Sequence, residues 1–555
     1  MSKILNLTYN EILKQIKKTS IKVIIGLILI LSIILPVIIN IAKPIDYSKR
    51  NLENFNSMLN HINREMENIK SDKTEEGKIL KNNLELQKKR MELEKDEKVV
   101  YNDWRIGEVE NYRNIYAQIL SLKEVLNNTD KNILFKNADG IDQSEFEAYY
   151  ELPQEEIKKE INILESKLEE SKNIVVKKDY IKYLQNHINN TEKFIKERKL
   201  ELEELKKQLE KDPKNEVVKE NIKHITTMIS RTQSLINIDK YRLRNKIDFE
   251  EDNWKNNTLN KIKKDVEKLN EPMLNQDEFI NNASVLNIKM NYEKYKQEYE
   301  ENTKQLKNNI KINWYSLENN MPQLESVKDA RSVLNNIYNV YVILAILLVI
   351  IIGSGIIATE FSKGTIRLLL IRPVSRGKIL FSKLLALLMI GYGIIIGALI
   401  ISIISSGILF GFKTFSIPIL KLVSEKIIEV NFIQYLSQNI FIVTTSFVFI
   451  TSVVFMLSII TKNIAISVAV SMLIYLGAMP ATLILSGLNF NWISNTFIPY
   501  INQSLFRLMP FLTETIKSQS GIRFNPYSGG IQLIILSIVM LVISFVVFNK
   551  KDIKN

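Results

Sequence analysis

Residues 359–383 read TEFSKGTIRLLLIRPVSRGKILFSK, and they lie between two long apolar runs, 337–358 and 384–410. The stretch is one-sided in charge: Lys363, Arg367, Arg372, Arg376, Lys378 and Lys383 stand against Glu360 alone. Basic segments beside membrane spans stay on the cytoplasmic side, so this loop sets the orientation of the spans around it. After Gly364, the apolar residues Ile366, Leu368, Leu369, Leu370 and Ile371 alternate with Arg367 and Arg372. That mixture predicts a short amphipathic helix at the membrane surface. It closes at Arg372-Pro373, because the residue before a proline is pushed out of the α region. On charge alone, a loop that only sets topology accounts for the stretch equally well.

The order of residues is more specific. Glu360, Gly364-Thr365, Leu369, Arg372-Pro373-Val374-Ser375-Arg376, Ile379 and Lys383 together resemble the cytoplasmic coupling loop of ABC-2 type transporter permeases. The resemblance covers the first span and the chain from about residue 337 onward; it does not cover 43–336. It implies that the loop docks into a groove on a partner cytoplasmic ABC ATPase subunit. It also implies that two permease subunits, identical or different, face one another. Carried onto this sequence, Arg372, Arg376 and Lys363 would contact the ATPase, Glu360 would anchor the start of the loop, and Gly364 would permit a close turn. Thr365, Arg367, Pro373 and Ser375 complete the ATPase-coupling set.

Composition narrows the function classes. The chain has 555 residues and a formal net charge of +13, too long for one compact core. Its lysines interleave with glutamates on helical stretches and carry no nucleic-acid motif, so the basic excess suits anionic membrane lipid. Cysteine is absent, which removes disulfides, thiol chemistry and Cys-based metal sites. His61, His187 and His224 sit in polar helical stretches and read as surface positions, not metal ligands. No triad or paired-carboxylate arrangement can be singled out, so no catalytic residue is assigned. No GxxxxGK[ST] loop is present, so the chain needs no cofactor itself, and ATP would be hydrolysed on a separate subunit. Apart from Lys22 at a boundary, the apolar cores lack ionisable residues, whereas ion-coupled carriers usually place such groups at depth. An apolar transit path suits amphipathic or lipid-like molecules better than ions or sugars.

Residues 1–22 form a basic amphipathic helix at the inner membrane face, with Ile4, Leu5, Tyr9, Ile12, Leu13 and Ile16 at helical spacing. The run 23–42 is about 20 residues long, enough to span a bilayer, and reads as an uncleaved first span. Within 43–336 nothing is long and apolar enough to span, so the segment is expected outside. Coiled-coil-like spacing runs through Leu52, Phe55, Leu59 and Ile62. It returns in Ile157, Ile161, Leu164 and Leu168, slips in phase, and resumes at Ile181, Leu184 and Ile188. Asp212-Pro213-Lys214-Asn215 marks a turn between two antiparallel helices. An aromatic-rich part, 101–153, is expected to pack separately, with a loop near 137–142. The second span is 337–358. Four more spans follow within 384–548, with outer segments at 411–434, including a short amphipathic helix at 420–430, and at 486–529. Residues 549–555 form a cytoplasmic tail.

The expected fold is all-α: a six-span helical membrane domain with a large extracytoplasmic, coiled-coil-rich helical domain. The chain would be multi-pass in the plasma membrane, with both termini cytoplasmic. The leading function is the permease subunit of an ATP-driven exporter of an amphipathic or lipid-like cargo, such as an antimicrobial peptide. Two alternatives stay open. The exported domain could relay ATPase-driven signals or activate an envelope enzyme. It could also be a non-transporting interaction domain, since the arrangement is similar to phage-infection and type VII secretion membrane proteins. The exported domain is either a helical spacer whose apolar stripes only pack on one another or a stalk that meets a partner or substrate outside.

Overall fold

The computed structural model describes residues 2–42, 48–100, 103–139, 146–250, 253–365 and 374–550. The chain forms two compact units, 1–42 with 253–555, and 43–252.

The first unit begins with α1 (Ser2–Ile16) and α2 (Thr19–Ile41), separated at Lys17-Lys18, where Lys18 is extended. The second unit is entirely helical in its described residues. It contains α3 (Ser48–Asn68), α4 (Glu75–Asp96), α5 (Ile106–Leu126), α6 (Lys131–Asn137), α7 (Gln154–Lys177), α8 (Tyr180–Lys211) and α9 (Glu216–Arg244). Polar caps set the helix starts: Thr74 accepts from Gly77 N–H at 3.0 Å, and Asp130 from Asn132 N–H at 2.8 Å. The phase slip in the sequence is a helix break. Lys178 adopts φ 53°, and Asp179 caps α8 by accepting from Lys182 N–H at 3.0 Å. At 212–215 the chain reverses as expected, and Ile188 and Ile195 of α8 pack against Ile236 of α9. Around α5 and α7, Ile119, Leu122, Leu134, Phe146, Ile157 and Ile161 form a separate core. Part of the expected loop near 137–142 lies outside the described residues.

Helices α10 (Trp254–Leu269), α11 (Gln276–Ala283) and α12 (Tyr292–Glu318) are polar, yet they belong to the first unit. Then come α13 (Ala330–Ser362) and α14 (Arg376–Phe410), both longer than the apolar runs that predicted them. After α14, the residues expected to form a helix at 420–430 form a β-hairpin, which corrects that expectation. Strands β1 (Ile419–Val423) and β2 (Lys426–Val430) pair antiparallel from Ile419↔Val430 to Val423↔Lys426. Leu420, Val423 and Ile427 fit a helical stripe, but β-branched residues favour a pleat. Ser424 (φ 47°) and Glu425 (φ 69°) close the two-residue turn in the left-handed geometry that matches strand twist.

The chain continues through α15 (Phe432–Thr461), α16 (Ile464–Gly487), α17 (Gln503–Leu508), α18 (Pro510–Ser520) and α19 (Pro526–Lys550). Among the described residues, six helices are long and apolar enough to cross a membrane: α2, α13, α14, α15, α16 and α19. The most buried are α13 and α15. Hydroxyls bind them where no water competes: Ser458 Oγ donates to Ser354 O at 2.9 Å and accepts from Ala358 N–H at 3.1 Å. Close approach of α14 to α15 depends on Gly391, where a Cβ would run into the Phe447 ring. Helices α2, α16 and α19 present apolar faces outward, among them Ile30, Leu473, Leu476, Ile535 and Ile538, as lipid-facing helices do.

At one end of these spans α12 acts as a strut. Its 27 residues reach about 40 Å. Near its start Lys294 Nζ meets Asn491 Oδ1 at 2.9 Å, and Glu298 receives Arg523, so α12 is tied to the α16–α19 connection. Near its end Lys311 Nζ reaches Glu425 O at 2.8 Å, and Tyr315 OH lies 3.3 Å from Glu429, so it is also tied to the hairpin.

Candidate functional site

The opposite end of the spans carries the ends of the basic loop. Helix α13 stops after Ser362: Lys363 N–H still bonds Thr359 O at 3.0 Å, and Gly364 turns the chain out with φ +67°. A residue with a Cβ would be strained there, which fits the expected close turn. Thr365 Oγ1 lies 3.5 Å from Glu360 O. On the far side Ser375 precedes α14 without a side-chain cap bond, and Arg376 and Lys378 occupy its first turn with no acidic residue. Lys363, Thr365, Ser375 and Arg376 are exposed. Arg367, Arg372, Pro373 and the expected amphipathic helix lie outside the described residues.

Glu360 behaves differently from this rim. It is buried, 5 % exposed, and its Oε1 takes two lysines at 2.9 Å each, Lys383 of α14 and Lys14 of α1. Lys383, 1 % exposed, also reaches Glu11 Oε2 at 3.0 Å and Ile356 O at 3.3 Å. Gln15 Nε2 donates to Glu11 Oε1 at 2.8 Å, and Lys18 Nζ donates to Gln15 Oε1 at 2.6 Å. Three helices, α1, α13 and α14, are thus joined by one buried ion network beside a cavity of about 190 Å³. Burial would raise the Glu11 pKa, but Lys383 and Lys14 outweigh it and hold the carboxyl below its ordinary value. Burial, reinforced by Lys14, pulls the Lys18 ammonium down. Beside the network, Lys462 Nζ lies 4.8 Å over the Phe361 ring, fixing the α15–α16 turn against the end of α13.

Sequence reasoning found Glu360 but missed Lys14 and Lys383 as its partners, and Glu11 as the second carboxylate on Lys383. The available clue was that Glu11 is the sole acidic residue in the first forty positions. Lys383 read as the last cation of the basic loop, whereas α14 carries it into the interior. No group of three or more His, Cys, Asp or Glu side chains that could hold a metal exists among the described residues.

A bundle of six helices long and apolar enough to cross a membrane, with a basic loop whose described ends are rooted in an ion network, is the architecture of a multi-pass membrane protein. The profile of the ABC-2 family transporter protein matches residues 191–553, well over half of the chain, and the chain belongs to that family. It is 29 % identical over 251 residues to the uncharacterized protein YhcI of Bacillus subtilis (strain 168), which covers 45 % of this chain and 77 % of that one. It is 26 % identical over 213 residues to the uncharacterized membrane protein YdbK of the same organism, covering 37 % and 77 %. No solved structure matches the chain. Family membership makes the protein a multi-pass ABC-2 permease, a membrane transporter component and not itself catalytic. The family implies association with an ABC ATPase and a membrane partner.

Proposed function

We propose that the chain is the permease subunit of an ATP-driven exporter, coupled to a separate ATPase chain through residues 359–383. The observation that carries this reading is the root of the loop. Glu360, Lys383, Glu11 and Lys14 lock the ends of α13 and α14 to α1. A displacement of the loop by an ATPase would therefore move three helices together. Lys363, Arg367, Arg372 and Arg376, with Thr365, Pro373 and Ser375, form the ATPase-facing rim; Glu360 anchors it from inside.

The basic loop and the lysine-rich α1 lie at one end of the bundle, so that end is taken as cytoplasmic, with both termini on the same side. Residues 43–336 are then extracytoplasmic. The cargo is an amphipathic or lipid-like molecule, and an antimicrobial peptide, with a resistance role, fits that class. A second subunit, the same or different, completes the translocator.

A second reading has its own support. Helix α12 is tied both to the α16–α19 connection and to the β-hairpin. Motion of the bundle would therefore reach the polar helices that follow residue 252, which suits signalling to an envelope partner.

The test is co-purification from native membranes with an ATPase assay. The combined Arg372→Glu and Arg376→Glu variant should lose ATPase association by about tenfold or more, since like charges across an interface are strongly unfavourable. Full association in that variant would remove the coupling assignment. ATP-dependent uptake in inverted vesicles separates export from signalling.

A further inference from the structure

At the end of the bundle opposite the ion network, a cavity of about 460 Å³ opens between the short helices α17 and α18 and the chain leading into α19. Its apolar wall includes Tyr500, Phe506 and Phe524, with the Phe506 and Phe524 ring centroids 6.0 Å apart. The wall is firmly seated, because a Cβ at Gly529 would enter the Tyr500 ring. Its polar part is unusual. Arg507 is half-buried, and one of its terminal nitrogens bonds both Tyr338 OH at 2.8 Å and Asn439 Oδ1 at 2.9 Å. Among the described residues, no carboxylate lies within ion-pair distance of it. Arg523, also on the lining, is taken by Glu298 and Glu301. Lys517 lies 3.2 Å from Gln305, and Glu514 adds a carboxylate at the exposed rim. One turn before Arg507, Gln503 is 5 % exposed; its amide donates to Thr445 at 3.4 Å while its Oε1 has no hydrogen-bond partner.

A half-buried cation without an acidic partner and a buried acceptor without a donor are both costly alone. They stand four residues apart on one helix, about 5–6 Å between Cβ atoms. An anionic group bearing a hydroxyl at that separation would satisfy both. Tyr338 lies in the third turn of α13, so Arg507 sits near the level of the membrane–water boundary. We propose that this cavity binds an anionic amphiphile whose head combines a phosphodiester, held by Arg507, with a hydroxyl donated to Gln503, its acyl part lying along the Tyr500–Phe506–Phe524 wall. The assignment rests on the export reading only in making the occupant a cargo molecule at the outer end; the binding itself needs no ATPase.

The test uses the full-length protein in detergent and a fluorescent phosphatidylglycerol, displaced by unlabelled phosphatidylglycerol, phosphatidate, phosphatidylcholine or glycerol phosphate. Phosphatidylglycerol should displace the probe at least about tenfold better than phosphatidylcholine, which carries the same phosphodiester but offers Gln503 no hydroxyl and brings a quaternary ammonium beside Arg507 and Arg523. Arg507→Gln should weaken probe binding about tenfold or more, and Arg507→Lys should restore most of it. Gln503→Leu should abolish the preference for phosphatidylglycerol over phosphatidate, which lacks the hydroxyl. Equal displacement by phosphatidylcholine would overturn the proposal, as would unchanged binding in a folded Arg507→Gln protein. Glycerol phosphate competing as well as the lipid would replace the amphiphile with a free anion. Where Arg507→Gln does not fold, the Lys variant and the Gln503→Leu preference decide. Binding without ATP-driven movement would sink the export reading and leave this site standing; transport without Arg507-dependent binding would do the reverse.

Discussion

Lys383 shows how one side chain can hold a coupling element. Its ammonium serves two carboxylates on two other helices, with almost no solvent to substitute for it. Replacing it by methionine keeps the length and leaves Glu11 and Glu360 without their shared cation, though Lys14 remains near. Breaking a buried pair from one side costs about 3–5 kcal/mol, so Lys383→Met should lower the thermal midpoint in detergent markedly. Adding Glu360→Gln should recover part of that loss, because it removes one of the stranded charges. The pH dependence has a definite sign. Glu11 ionises below its ordinary value of 4.5, so between the two values the unfolded chain binds more protons than the folded one. The stabilisation is therefore complete above about pH 4.5 and is lost as pH falls through the interval beneath it. A melting series from acid to neutral pH should show that slope in the natural protein and a smaller one in Lys383→Met. From sequence, Glu360 stood out as the only acid in a basic loop. Its partners did not, because they are 23 and 346 positions away and meet only once α1, α13 and α14 pack.

Among the elements, long periodic stretches were legible and short ones were not. The α8–α9 hairpin followed from isoleucine spacing and Asp212-Pro213; the break before α8 did not, because the spacing on either side of the phase slip reads as one continuous helix of about 50 residues. Those patterns extend over many turns, so local exceptions do not hide them. The β-hairpin fits in twelve residues, where a helical stripe and two strands fit the same letters. Its turn residues, Ser424-Glu425, also gave no warning, since neither is a favoured left-handed residue. That mismatch is testable. Changing Ser424→Asn together with Glu425→Gly supplies the pair this turn geometry prefers, and should stabilise the membrane unit by about 0.4–1 kcal/mol. The readout is a small upward shift in the melting midpoint with unchanged oligomeric state. A downward shift would mean that the Ser424 and Glu425 side chains contribute more than the turn loses in strain, since the main-chain carbonyl that receives Lys311 is kept in the Gly variant.

At the scale of the whole molecule, hydropathy places a boundary at about residue 336, where the second apolar run begins, whereas packing places it at 252. Hydropathy follows the solvent a segment meets; packing follows where its side chains find partners. The polar helices α10–α12 meet water, yet their charged residues are engaged by the bundle's own loops. Arg523 binds Glu298 with three hydrogen bonds, Lys517 reaches Gln305, and Lys289 N–H donates to Gln519 O at 2.7 Å. Residues 43–252 carry separate apolar cores of their own. Two deletions separate the boundaries. Replacing 43–252 by a flexible linker should leave the thermal midpoint of the membrane unit nearly unchanged, and the excised segment should melt cooperatively as a helical domain. Extending the deletion to 318 removes α12 and leaves Arg523 and the hairpin without their partners. Losing several charged and backbone hydrogen bonds at about 1–3 kcal/mol each should then lower the midpoint of the remaining bundle by several degrees. Equal midpoints for the two deletions would restore the boundary that hydropathy suggests and reduce α12 to a tether. A lower midpoint for the longer deletion alone would make α12 part of the membrane machine, positioned to carry the bundle's motion outward.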